Sequence, residues 1–86
     1  MEVIYLPEAI LDLAFWKKSG NKKIQQRITI LVKAIQVDPF QGIGKPEPLR
    51  HNLSGKWSRR INAEHRLVYT IENDLIYIYS LRGHYK

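Results

Sequence analysis

Cysteine is absent from the 86-residue chain. That removes disulfide frameworks, thiolate metal sites and cysteine nucleophiles together. No run approaches the roughly 20 apolar residues that a membrane span needs. The opening residues, Met1-Glu2-Val3, lack the basic segment, apolar run and small-residue cleavage site of a secretory leader, so a cytoplasmic location is expected. Internal repeats, low-complexity segments and linkers are also missing, and residues 1–86 read as one domain. The three histidines, His51, His65 and His84, show no metal-ligand spacing on a shared helix, and no metal site is expected. Gly42-Ile43-Gly44-Lys45 matches neither GxxxxGK[ST] nor GxGxxG, and no nucleophile elbow is present. No cofactor is implied.

Acidic residues are scarce relative to basic ones. Fourteen Lys and Arg face eight Asp and Glu, a formal charge of +6. The first 40 residues carry six basic and four acidic groups, the remainder eight and four. Between Lys45 and Arg66 six basic residues (Lys45, Arg50, Lys56, Arg59, Arg60 and Arg66) meet only Glu47 and Glu64. Such a cluster without a basic amphipathic helix favours nucleic acid over a membrane surface as partner. A solvated basic surface is the alternative.

Hydropathy patterning orders the chain as strand, two helices and a sheet. Val3 to Leu6 is β-branched and aromatic and is stopped by Pro7. Pro7 suits a helix first turn, and Ile10, Leu11, Ala14 and Phe15 recur at helical spacing up to a stop at Gly20. Asn21 caps a second helix with the stripe Ile24, Ile28, Leu31, Val32 and Ile35, ended by Asp38-Pro39. Residues 40–48, with two glycines and two prolines, read as a loop. Lys56 to Ile61, His65 to Ile71 and Leu75 to Leu81 then read as an antiparallel meander. The class is α+β, two antiparallel helices packed on one face of a small, mainly antiparallel sheet. Both faces of the meander carry apolar groups, so the pattern leaves open which one the helices cover.

One constellation makes chemical sense for a basic domain, because RNA can be cleaved without a metal. A base takes the 2′-hydroxyl proton, an acid protonates the 5′-oxygen, and cations stabilise the charged pentacoordinate phosphate. Glu47, the basic strand residues and His84 offer one group of each kind.

Several segments carry a resemblance: 44–49, 51–55, Trp57 to Ile61 and Glu64 to Tyr69, with Arg82 and the pair His84-Tyr85. Together they resemble the YoeB (Txe) toxins of the RelE-like superfamily of bacterial toxin–antitoxin modules, over essentially the whole chain. The resemblance implies a RelE-like fold and a metal-independent, ribosome-dependent endonuclease. Such an enzyme cuts mRNA in the decoding A site of the 70S ribosome, leaves a 2′,3′-cyclic phosphate and inhibits translation. It also implies an acidic antitoxin of the YefM/Phd type, operator DNA bound only through that complex, and possible homodimers. Carried over by position, Glu47 in the family's KPEPL segment is the general base. Arg66, in EHRLVY, stabilises the transition state. His84 is the general acid and Tyr85 its support, while Lys45, Arg50, Arg59 and Arg60 bind RNA. Arg50 stands where a lysine is familiar in the family, and Lys86 extends one residue past the His-Tyr pair.

Each residue also has a plainer reading. Glu47 is then an exposed loop carboxylate, Arg66 a cross-strand partner and His84 a frayed terminal group. His51 and His65 suit structural hydrogen bonds or RNA contacts, and Trp16 and Trp57 suit core packing. Two rival functions follow: a non-catalytic RNA-binding or ribosome-blocking module, and a degenerate toxin acting only with its antitoxin in transcriptional control.

Overall fold

The computed structural model describes residues 1–84. The elements are β1 (Glu2–Tyr5), α1 (Pro7–Ser19), α2 (Lys22–Val37), β2 (Glu47–Pro48), β3 (Trp57–Arg60), β4 (Arg66–Glu72) and β5 (Leu75–Ser80). The strands form one sheet in the order β1-β5-β4-β3-β2. β1 runs parallel to β5, and every other neighbouring pair is antiparallel.

Local chemistry explains most boundaries. Pro7 opens α1, where its missing N–H costs nothing, and Glu8 and Lys17-Lys18 complement the two ends of the helix dipole. Gly20 closes α1 at φ 74°, and one residue later Asn21 Oδ1 accepts the Ile24 N–H at 3.1 Å. The helices therefore turn back on each other within two residues. Asn73 and Asp74 both take positive φ (52° and 64°), the geometry that lets a two-residue loop follow the twist of β4 and β5.

The α2 stripe is buried as its spacing predicts: Ile24, Ile28, Leu31, Val32 and Ile35 all enter the core. Each such side chain contributes about 1.5–3 kcal/mol on burial. From the sheet, Leu67, Tyr69, Ile76 and Ile78 meet them. That answers the question the alternation left open: the helices cover the Leu67-Tyr69-Ile71 face, and Arg66, Val68 and Thr70 share the other.

Helix α1 corrects its expected stripe. Ile10, Leu11 and Phe15 are exposed, Leu11 by 71%, while Ala9, Asp12 and Trp16 are buried. The reason is polar: Asp12 Oδ2 accepts the Leu81 N–H at 2.9 Å and Trp16 Nε1 donates to the Leu81 carbonyl at 2.9 Å. Two hydrogen bonds to one strand-end residue set the helix's rotation, and its apolar stripe is left outside.

Candidate active site

The loop after α2 ends in an unexpected short strand. Lys45 holds a left-handed φ of 50°, Pro48 biases the preceding Glu47 toward extended backbone, and Glu47-Pro48 then pairs with β3 as the sheet's edge. A proline is tolerated there because an edge strand need not donate on its outer side. Pairing places Glu47 opposite Ser58, Ser58 opposite Val68, and Val68 opposite Ser80. Opposed residues in antiparallel strands project to the same side, so these four form one row across the open face. One step along β3 and β4, Arg60 stands opposite Arg66. With strands about 4.8 Å apart, Glu47 and Arg66 lie roughly 10–12 Å apart at their Cα atoms, within reach of one nucleotide's sugar and phosphate.

Arg66 is only 7% exposed, and its guanidinium is fixed by the β3–β4 connection. Its Nη1 donates to the carbonyls of Asn62 at 2.8 Å and His65 at 3.2 Å, with Ala63 at 3.5 Å. Its cross-strand neighbour is a second arginine, not the acidic residue of the plainer reading.

A bulge in β5 shapes the centre of the face. Val68 pairs with Ser80 and Tyr69 with Ile78, so Tyr79 is an extra residue. Tyr79 and Ser80 both line a cleft of about 460 Å³, together with Val68, Leu53, Lys56 and His84. Lys56 Nζ lies 4.3 Å from the Tyr79 ring centre. His84 is exposed at the cleft, and Glu47 lies beside it in a neighbouring hollow that shares Leu53. Neither the bulge nor the two-residue edge strand announces itself in the hydropathy pattern.

Lys45, Arg50 and Arg60 are exposed. Arg59 is not: it has 0% exposure and corrects the expectation that it contacts RNA. Its Nη2 donates to the carbonyls of Asp38 at 2.6 Å and Gln41 at 3.0 Å, Nη1 to Ile43 at 3.2 Å, and Nε to the Tyr69 hydroxyl at 3.3 Å. This side chain holds the 38–43 loop from beneath, because strand alternation turns it to the helix side. His65 is structural, its Nδ1 accepting the Gly83 N–H at 2.8 Å. Trp16 is in the core and Trp57 packs against it. Tyr85 lies outside the described residues. Among the described residues, no group of three or more His, Asp and Glu side chains could hold a metal ion.

A basic, five-stranded α+β domain with this arginine-bearing open face has the architecture of the RelE-like toxins. The chain belongs to the YoeB-like toxin family of bacterial type II toxin–antitoxin systems, whose model matches residues 5–85. The toxin YoeB of Synechocystis sp. is 61% identical over 71 residues, 83% of each chain. The YoeB of a YoeB–YefM complex from Staphylococcus aureus superposes with a TM-score of 0.89 at 43% identity, covering 99% of this chain and 98% of that one. A YoeB dimer from the same organism gives 0.89 at 42%, with the same coverage.

Proposed function

We infer that the open face is the active site of a ribosome-dependent mRNA endonuclease that cuts message in the decoding A site of the 70S ribosome. The observation that carries this reading is the Arg60–Arg66 pair, two cations opposed on the face that also bears Glu47. Like charges directly across a sheet are destabilising, and a bound phosphate reverses the sign of that term.

In this reading Glu47 takes the proton from a ribose 2′-hydroxyl as the 2′-oxygen attacks the adjacent phosphorus. The new O2′–P bond forms as the P–O5′ bond breaks, and His84 gives its proton to the departing 5′-oxygen. The products are a 2′,3′-cyclic phosphate and a 5′-hydroxyl, with no metal required. Arg66 and Arg60 stabilise the added charge on phosphorus, Lys45 and Arg50 hold flanking phosphates, and Tyr85 supports His84. An acid or base contributes about 10²–10⁴-fold, and one positioned donor at the developing charge about 10²–10³-fold.

The enzyme works in the cytoplasm. It is neutralised by an acidic antitoxin of the YefM/Phd type and reaches operator DNA only within that complex. Relatives supply the support: one S. aureus YoeB is complexed with YefM and another is a dimer, and a homodimer of this chain follows the same pattern.

Primer extension on programmed ribosomes tests the reading. Wild-type protein is expected to generate new ends in the A-site codon. Glu47→Ala, Arg66→Ala and His84→Ala, each with an unchanged circular-dichroism spectrum, are expected to lose at least about 10²-fold in rate. Ribosome binding with no new ends would instead establish a non-catalytic blocking module.

A further inference from the structure

The backbone leading to His84 is gripped at four points. From α1, Asp12 Oδ2 accepts the Leu81 N–H and Trp16 Nε1 donates to the Leu81 carbonyl, both at 2.9 Å. From the start of β4, His65 Nδ1 accepts the Gly83 N–H at 2.8 Å, and the Arg66 N–H donates to the Gly83 carbonyl at 3.0 Å. Both backbone groups of Leu81 and both of Gly83 are thereby occupied. The two grips also brace each other, since the Trp16 and His65 rings meet edge to face with centroids 4.8 Å apart.

Packing alone does not explain these residue types. Asp12 is a carboxylate only 8% exposed on a face that an apolar side chain could fill. Its four-residue spacing from Trp16 places both on one helix face, aimed at the two backbone groups of Leu81. His65 can accept at Nδ1 only as the neutral tautomer with its proton on Nε2, so this contact fixes the ring's chemistry as well as its place. Gly83 itself sits at φ 82°, a turn that sets the direction in which the next residue leaves.

We propose that His65, together with Asp12 and Trp16, is a positioning residue that fixes the approach of His84 to the cleft on the open face. The proposal rests on the reading of His84 as general acid. A pin one residue from His84 limits the arc its imidazole can sweep. Release of that pin misplaces the proton donor, and a shift of about 1 Å can cost on the order of 10²-fold in rate.

Two measurements on the full-length protein test this. In ¹⁵N-labelled wild type, a scalar coupling across the hydrogen bond is expected between the Gly83 nitrogen and His65 Nδ1. His65→Ala is expected to abolish it and to lower the heteronuclear NOE of residues 82–84. His65→Asn, whose Oδ1 stands near the former Nδ1, should keep those NOE values. In ribosome-dependent cleavage, His65→Ala should lower kcat by about 10²-fold with KM unchanged, and His65→Asn should restore most of it. Added to His84→Ala, it should have no further effect. Trp16→Phe removes the indole N–H together with part of the buried ring and, with its fold checked by circular dichroism, carries the same test should His65→Ala fold poorly.

A missing coupling in wild type, or His65→Ala with unchanged NOE values and full cleavage, overturns the proposal. Wild-type protein that binds ribosomes without cutting would remove the nuclease reading and the catalytic half of this one, while the coupling still decides the clamp.

Discussion

Arg59 and Tyr69 form a buried polar pair under the α2–β2 loop, and each needs the other's geometry. The Tyr69 hydroxyl donates to the Pro39 carbonyl at 2.5 Å while accepting from Arg59 Nε, so one side chain ties the sheet to the loop and to the guanidinium that braces it. Burial pushes the Tyr69 phenol above its usual value of 10.0; the hydrogen bond and charge of Arg59 oppose that shift, and Asp38 adds to it. Tyr5 is shifted the same way by burial. The folded state therefore holds these phenolic protons more tightly than the unfolded chain. Their contribution is fully present below pH 10 and is lost as pH rises through the folded-state values. Chemical denaturation at pH 7, 8 and 11 should show stability flat between the first two and lower at the third. Tyr69→Phe should cost about 1–2 kcal/mol at pH 8 through its lost hydrogen bonds, and should weaken the alkaline fall to the part Tyr5 supplies. An unchanged alkaline slope in that variant would assign the effect elsewhere.

The loop between α2 and β2 lies close against the layers it joins. A Cβ on Gly44 would meet Leu31 Cδ2 at 2.8 Å and Arg59 Cβ at 3.2 Å, at a φ of 84° that side chains rarely adopt. Gly44→Ala should therefore lower stability by about 1–3 kcal/mol in a urea titration, and an unchanged midpoint would contradict the close approach. How much of each element could be read in advance depends on what holds it. Helix α2 was legible because its burial is purely apolar and its stripe runs at helical spacing. Helix α1 was not: hydropathy periodicity favours Ile10, Leu11 and Phe15, whereas the helix is rotated by Asp12 and Trp16 toward a peptide some 65 residues away, a partner local pattern cannot supply. The meander was legible from its two polar breaks. The β5 bulge and the Glu47-Pro48 strand were not, since two residues carry no period and an inserted Tyr79 looks like any strand residue. Arg59 escapes the pattern for a related reason, because charge counts along the chain do not say which arginine strand alternation turns inward. Glu47 and Arg66 were singled out by resemblance, and the strand register then set them on one face.

Basic charge on the whole surface has a measurable signature once Arg59 is taken out of it. Binding to single-stranded RNA should weaken linearly on a log–log salt plot, with a slope near −0.7 per phosphate neutralised. Arg60→Ala should flatten that slope by about 0.7, and Arg59→Gln, which removes the charge, should leave it unaltered while reducing stability. Equal effects from the two variants would return Arg59 to the binding surface. The strand order carries a separate consequence. β1, the first element of the chain, finds its only partner among the described residues in β5, the last, and β5 also supplies the neighbour of β4. During synthesis, then, the opening strand waits unpaired until residues 75–80 have emerged. Every shorter nascent chain lacks Tyr79, Ser80 and the peptide that Asp12 and Trp16 grip.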